Sequence, residues 1–191
     1  MEWLVQLDHI NCLEQLNEYC LQCQRCHLRS GDSHVVFGEG DPQARMMLVG
    51  EAPGAEEERL QRPFVGAAGK LLNKILAASG FQREEVYITN VVKCRPPQNR
   101  TPTKEEADLC FVYLIRQIEL IQPSLIVCLG ALATQYLVYP EARVSVVRGD
   151  VFTKGGIRIV PTYHPAALLR DVNKKKAVWR DFLKIRKLYF E

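Results

Sequence analysis

The sequence predicts an α/β protein: one three-layer α/β/α domain spanning residues 1–191, built around a central, mostly parallel sheet of four strands. Three observations carry this. Short, apolar runs of strand length at 46–49, 86–89, 125–129 and 157–160 alternate with stretches of helical periodicity. Strands separated by helices need crossover connections, which make neighbouring strands parallel and put helices on both sheet faces. The 191 residues show no repeat, linker or low-complexity tract and are enough for one well-cored domain.

Taken in order, Asn11 with Glu14 three residues later reads as a capping box opening a short helix, with Leu13, Leu16 and Tyr19 on one side. A cysteine-rich segment occupies 20–26. The first strand ends at Gly50 and runs into the loop Gly50-Glu51-Ala52-Pro53-Gly54. Leu71, Leu72, Ile75 and Leu76 mark a helix over 67–79, closed by Gly80. The second strand runs into Asn90, and Pro96, Pro97 and Asn99 make a loop. Thr103 and Glu106 cap a long helix reaching about 122. The third strand precedes Gly130 and a helix over 131–138, residues 140–156 make a hairpin or loop, and the last strand runs into Thr162-Tyr163-His164-Pro165. A final helix begins near Lys174. Gly50-Glu51, Asn90 and His164 thus each follow a strand directly. In an open parallel sheet such positions surround the ligand crevice.

Composition excludes several classes. Hydrophobic residues make up 47% and charged residues 25%, ordinary for a globular chain and unlike a disordered one. No apolar run approaches a membrane span, and Met1-Glu2-Trp3-Leu4-Val5 carries an acid where a signal peptide needs lysines, so a cytoplasmic, intracellular protein is expected. The net charge is +3, but residues 170–187 hold eight basic and two acidic side chains. Such a strip suits a polyanion, although a solvated amphipathic helix with Val178, Phe182, Ile185 and Leu188 inward would look the same. Seven cysteines, an odd number without a secretion signal, point to a metal or cluster rather than disulfides. Cys23-x-x-Cys26 is a two-ligand hook, Cys94 and Cys110 lie 16 apart, and Cys20-x-x-Cys23 repeats the hook spacing. Four thiolates suit zinc as well as an iron–sulfur cluster, and spacing does not separate them. Cys12 and Cys128 sit on apolar faces and read as buried thiols.

Gly50-Glu51-Ala52-Pro53-Gly54, Arg62-Pro63-Phe64-Val65-Gly66, the run from Ile88 to Pro97 with Asn90, Lys93 and Cys94, and His164-Pro165-Ala166-Ala167-Leu168-Leu169-Arg170 resemble the successive motifs of the family 4 uracil-DNA glycosylases, in order and over 23–170. The resemblance implies a monomeric, DNA-binding repair hydrolase that acts on single- or double-stranded uracil-containing DNA, associated with the nucleoid when acting. It flips uracil out and cuts its bond to the sugar, leaving an abasic site. It implies a [4Fe–4S] cluster on Cys23, Cys26, Cys94 and Cys110. It gives Asn90 the uracil edge, Phe64 the stacking face, the Gly50-Glu51-Ala52 backbone the O2 atom, and Glu57 a place near C5. His164 stabilises charge on the leaving base, Leu168 or Leu169 wedges the DNA, and Arg170 meets phosphate. Where the wider superfamily carries a water-orienting Asp, this sequence has Ala52, leaving Glu51 as the nearest catalytic candidate for that task. A non-enzymatic Cys₄ module bound to nucleic acid through the basic helix is the reading of another class. A nucleotide-binding fold lacks its Gly-Lys-Ser/Thr.

Overall fold

The computed structural model describes residues 7–29, 31 and 33–191; the N-terminal stretch 1–5 weighed for a signal peptide lies outside them. The central strands are β2 (Met46–Gly50), β3 (Tyr87–Asn90), β4 (Leu125–Leu129) and β6 (Ile157–Thr162), all parallel, and two short antiparallel edges, β1 (Glu39–Gly40) and β5 (Phe152–Lys154), widen the sheet to six in the order β1-β3-β2-β4-β6-β5. The four expected strands are present and the edges are additions, too short to carry a pattern. β5 and β6 are joined by Gly155-Gly156, both at positive φ (54° and 82°), as a two-residue hairpin turn requires.

Residues alternate between two apolar layers. On one face Met47, Val49, Ile126, Cys128 and Ile159 meet α1 (Leu13–Leu21), α4 (Lys104–Ile121) and α5 (Ala131–Leu137). On the other, Met46, Leu48, Leu125, Val127 and Val160 meet α3 (Ala67–Ala78), α7 (Pro165–Arg170) and α8 (Lys174–Phe190). Strands covered on both sides read as near-continuous apolar runs, and that is why these stretches stand out in the sequence. Two further helices are α2 (Ala55–Leu60), in a stretch given no element from sequence, and α6 (Val144–Val147), in one read as hairpin or loop. Both are too short for periodicity.

Helix ends follow local chemistry. Thr103 and Glu106 form the capping box of α4, and Gly80, at φ 80°, follows α3 with Phe81 N–H donating to the Leu76 carbonyl. The cap expected at Asn11 is not formed. The helix begins one residue later with Cys12 at its N-cap and no side-chain cap, and Asn11 N–H donates to Gln15 Oε1 instead. Cys12 is consequently half-exposed rather than buried. Among the described residues no helix is long and apolar enough to cross a membrane.

The strand that leads to His164 is tied down by a charge. Asp181 of α8, 3% exposed, accepts from Thr162 Oγ1 at 2.6 Å and from Arg148 Nε at 3.1 Å, and burial pushes its carboxyl up despite both. Removing one member of a buried pair strands the other. Arg148→Met is expected to lower stability by about 3 kcal/mol, and adding Asp181→Leu should restore most of it. Urea unfolding of the two variants checks this; equal losses would show that the pair is not the cause.

Candidate active site

Register brings the motifs together. β2 and β3 pair so that Gly50 stands opposite Asn90, and past the strand ends Val91 N–H and Val92 N–H donate to the Gly50 and Glu51 carbonyls at 3.0 Å. A β-carbon on Gly50 would sit 2.4 Å from Asn90 Oδ1 and 2.5 Å from Phe64 Cζ, so only glycine lets ring and amide close over this strand end. The Phe64 ring lies 5.4 Å from His164, centroid to centroid. Gly130, at φ 97°, makes the matching room after β4, where a β-carbon would fall 3.0 Å from His164 Cβ. Gly50, Phe64, Asn90 and His164 therefore form one cluster at the carboxyl end of the sheet, where the order turns back across β2.

Asn90 is 1% exposed, and its Oδ1 has no hydrogen-bond partner among the described residues. An unpaired buried acceptor is costly and rare, and it marks a place where a donor belongs. His164 Nδ1 accepts from Ala166 N–H at 3.1 Å, capping α7. That bond fixes the neutral tautomer with the proton on Nε2. Burial first, then Arg170, pulls its pKa down to about 4. The ring is neutral at pH 7 and offers an N–H donor. The Glu51 carboxyl is pushed up by burial, with Arg170 opposing.

Phe64 holds a left-handed backbone, φ 51°, unusual for a bulky residue and maintained only where its surroundings fix it. Glu57 Oε1 accepts from Val65 N–H (2.9 Å) and Gly66 N–H (2.8 Å). Arg83 Nη2 donates to the Pro63 carbonyl at 2.6 Å and its Nη1 to the Phe64 carbonyl at 3.2 Å, while Glu39 holds the guanidinium. Glu57 thus spends one carboxylate oxygen on the loop under the ring. Arg83 and Glu39 escape sequence reading because their partners lie 10 to 44 residues away.

The segment after His164 divides cleanly. Leu168 is 1% exposed and packs between α3 and the sheet, so it is not available as a wedge; Leu169, 50% exposed, and the exposed Arg170 are. One turn of helix cannot present adjacent residues to the same side.

Cys20, Cys23, Cys26, Cys94 and Cys110 all line one recess. Burial pushes Cys94 and Cys110 up to about 12, so as bare thiols they resist ionisation. The buried Tyr113 hydroxyl faces the same recess beside Cys23. Five soft donors in one recess fit a group that binds thiolates and carries positive metal charge. Among the described residues no three His, Cys, Asp or Glu side chains are close enough to share a single metal ion. Cys128 lies away in the core, 0% exposed.

A family model described as the uracil DNA glycosylase superfamily matches residues 37–183. The chain belongs to the uracil DNA glycosylase superfamily. Similar proteins of this family include a type-4 uracil-DNA glycosylase of Thermotoga maritima, 47% identical over 83% of this chain and 84% of the relative. One from Sulfurisphaera tokodaii is 44% identical over 94% and 86%, and one from Archaeoglobus fulgidus 42% identical over 92% of each. The stretch matched as uracil DNA glycosylase includes Gly50, Phe64, Asn90 and His164 but begins after Cys20, Cys23 and Cys26.

Arg83→Met is expected to destabilise the protein by about 2 kcal/mol, because the Pro63 and Phe64 carbonyls lose their guanidinium donor and the half-buried Glu39 carboxylate is left with Arg62 alone. Amide exchange should quicken at Val65 and Gly66 more than in the distant strand β4. A uniform rise would show that Arg83 does not act on this loop.

Proposed function

We propose that the chain is a uracil-DNA glycosylase that takes uracil out of DNA and hydrolyses its N-glycosidic bond, as a monomer acting on DNA inside the cell. The observation that carries this reading is the unpaired Asn90 Oδ1, buried beside Gly50 and within the cluster that holds Phe64 and a neutral His164. Uracil N3–H is the donor that this acceptor lacks, and Asn90 Nδ2 then meets O4. Cytosine offers a lone pair at N3 and an amine at C4, so both contacts invert. Phe64 supplies the flat face, and Leu169 and Arg170 fill the gap and meet phosphate.

Bond cleavage sends the C1′–N1 electron pair onto uracil and leaves an oxocarbenium-like sugar. His164 Nε2–H donates to O2 as negative charge grows there, without giving up its proton. A water molecule then adds to C1′, and its proton passes through solvent to the departed uracil anion, giving the abasic site and neutral uracil. Ala52 offers no carboxylate for that water, and the partly buried Glu51, on the same loop, positions it. Stabilising the leaving base is therefore the dominant effect.

Cys23, Cys26, Cys94 and Cys110 hold a [4Fe–4S] cluster in this reading, supported by the shared recess that they line. Cys20 lines it too and is the alternative to one of them. The bound cluster supplies a cross-link between the N-terminal segment, the β3 exit and α4, a folding contribution more than a chemical one.

Incubation with a uracil-containing oligonucleotide followed by alkali tests the activity; strand cleavage is expected and its absence defeats the reading. His164→Ala should slow single-turnover excision by roughly two to three orders of magnitude, as loss of one oxyanion donor does, with DNA affinity little changed. Because the folded pKa is about 4, below the ordinary 6.5, excision should be level from about pH 8 down to about pH 5. A rate that falls through pH 6.5 would mean a histidine that titrates normally. The same shift favours the folded state above pH 6.5, and that contribution fades as pH falls toward 4. The purified protein should contain iron and sulfide, and Cys110→Ala should lose both while Cys128→Ala keeps them. Bound zinc in place of iron would refute the cluster.

A further inference from the structure

Lys93 is a charged side chain placed where an apolar one would cost less. It is 1% exposed, and its ammonium donates to three neutral acceptors: Thr89 Oγ1 at 2.6 Å, Gln117 Oε1 at 2.6 Å and the Asn90 carbonyl at 2.8 Å. All three protons are used. Its peptide N–H donates to Cys110 Sγ at 3.2 Å, and its carbonyl accepts from Val36 N–H at 2.7 Å. Neutral acceptors satisfy the protons but not the charge, and a buried charge with no counter-charge is unfavourable.

We propose that Lys93 is a positioning residue that joins the cysteine recess to the base-reading amide, its ammonium holding the Asn90 main chain and its peptide N–H resting on the Cys110 sulfur. The inference rests on Asn90 reading uracil. The chain leaving β3 is held on two sides: Val91 and Val92 N–H point to the Gly50 loop, and the Asn90 carbonyl points to Lys93. With its main chain fixed, Asn90 has only two side-chain torsions left, so the amide's direction follows from the backbone. The far anchor is equally fixed. Gln117 is 0% exposed and lies two turns after Cys110 on α4, and its Nε2 donates to the Phe37 carbonyl and to the Tyr87 hydroxyl. A shift of Cys110 on loading or losing its metal group therefore moves the helix that holds Gln117 and the peptide that holds Lys93.

The test is a double-mutant cycle on the full chain carrying its cluster, read by single-turnover excision, with a second readout in the cluster itself. Lys93→Met fills the same volume without the charge. It should slow excision by roughly 10- to 100-fold in the native background and by less than about 3-fold in Asn90→Ala, the range of coupling between residues in one network. It should also speed loss of visible absorbance under a chelator by several-fold. If Lys93→Met does not fold, Thr89→Val, which removes one acceptor at nearly constant shape, takes its place with a smaller coupling of the same sign. Equal losses in the two backgrounds, or unchanged absorbance decay, would overturn the proposal while Asn90→Ala itself stays impaired. An Asn90→Ala protein that excises at the native rate would instead defeat the base-reading assignment beneath it.

Discussion

The approach of Gly50 to Asn90 across the parallel pair β2·β3 is the constraint from which the rest of the site follows. Parallel strands buried on both faces have little freedom of register, because a slip of one residue exchanges the two apolar layers. Here the layers are distinct: Met47 and Val49 face one set of helices, Met46 and Leu48 the other. Locking that alternation also fixes which residues stand at the strand ends. Asn90 then points at a strand end that carries no side chain, and the Phe64 ring takes the space a β-carbon would fill. Gly130 repeats the arrangement one strand further on, against His164.

Polar groups around this point are buried in a graded way. Those that shape the site are hydrogen-bonded: Arg83 and Glu57 hold the backbone around Phe64, and Lys93 spends every side-chain proton. The Asn90 acceptor in the same neighbourhood is left unpaired. A fully connected network makes the geometry rigid, and rigidity makes the unpaired atom useful, since it cannot relax toward another partner. The left-handed Phe64 fits this logic. Its strain persists because carbonyls on one side and amides on the other are both held.

Much of this was legible in the sequence because it is local. A strand, its terminal polar residue and the helix after it occupy adjacent positions, so Gly50, Asn90 and His164 could be assigned to one crevice from strand ends alone. The capping box at Thr103 and the closing Gly80 are equally local and were readable. What stayed hidden was long-range or below the length at which a period shows. Arg83 and Glu39 are 44 residues apart, and no spacing announces them. The strands at 39–40 and 152–154 and the helix Ala55–Leu60 are too short for two periods. Leu168 and Leu169 look alike in sequence, and only the rotation of one helical turn sends the first inward and the second out. Cys20 is the instructive ambiguity. Its spacing to Cys23 repeats the hook, the family resemblance alone favoured Cys23, Cys26, Cys94 and Cys110, and its place in the recess beside those four makes five donors.

The electrostatics around His164 give the chemistry its direction. A cationic imidazole would hold an anion more strongly, but Arg170 and burial both oppose a proton there, and α7 needs Nδ1 as an acceptor. In the proposed reaction a neutral donor gains little from a neutral uracil and more from the anion that forms, and such a difference lowers a barrier. On the same proposal it does not protonate O2 readily, so the base would depart as an anion whose charge the site must bear. With no carboxylate at Ala52, the proposed leverage lies in the departing base rather than in the arriving water. A site of this kind depends on the direction of one N–H and one amide more than on any titrating group, which is why so much of the surrounding structure serves to hold Asn90, Phe64 and His164 still.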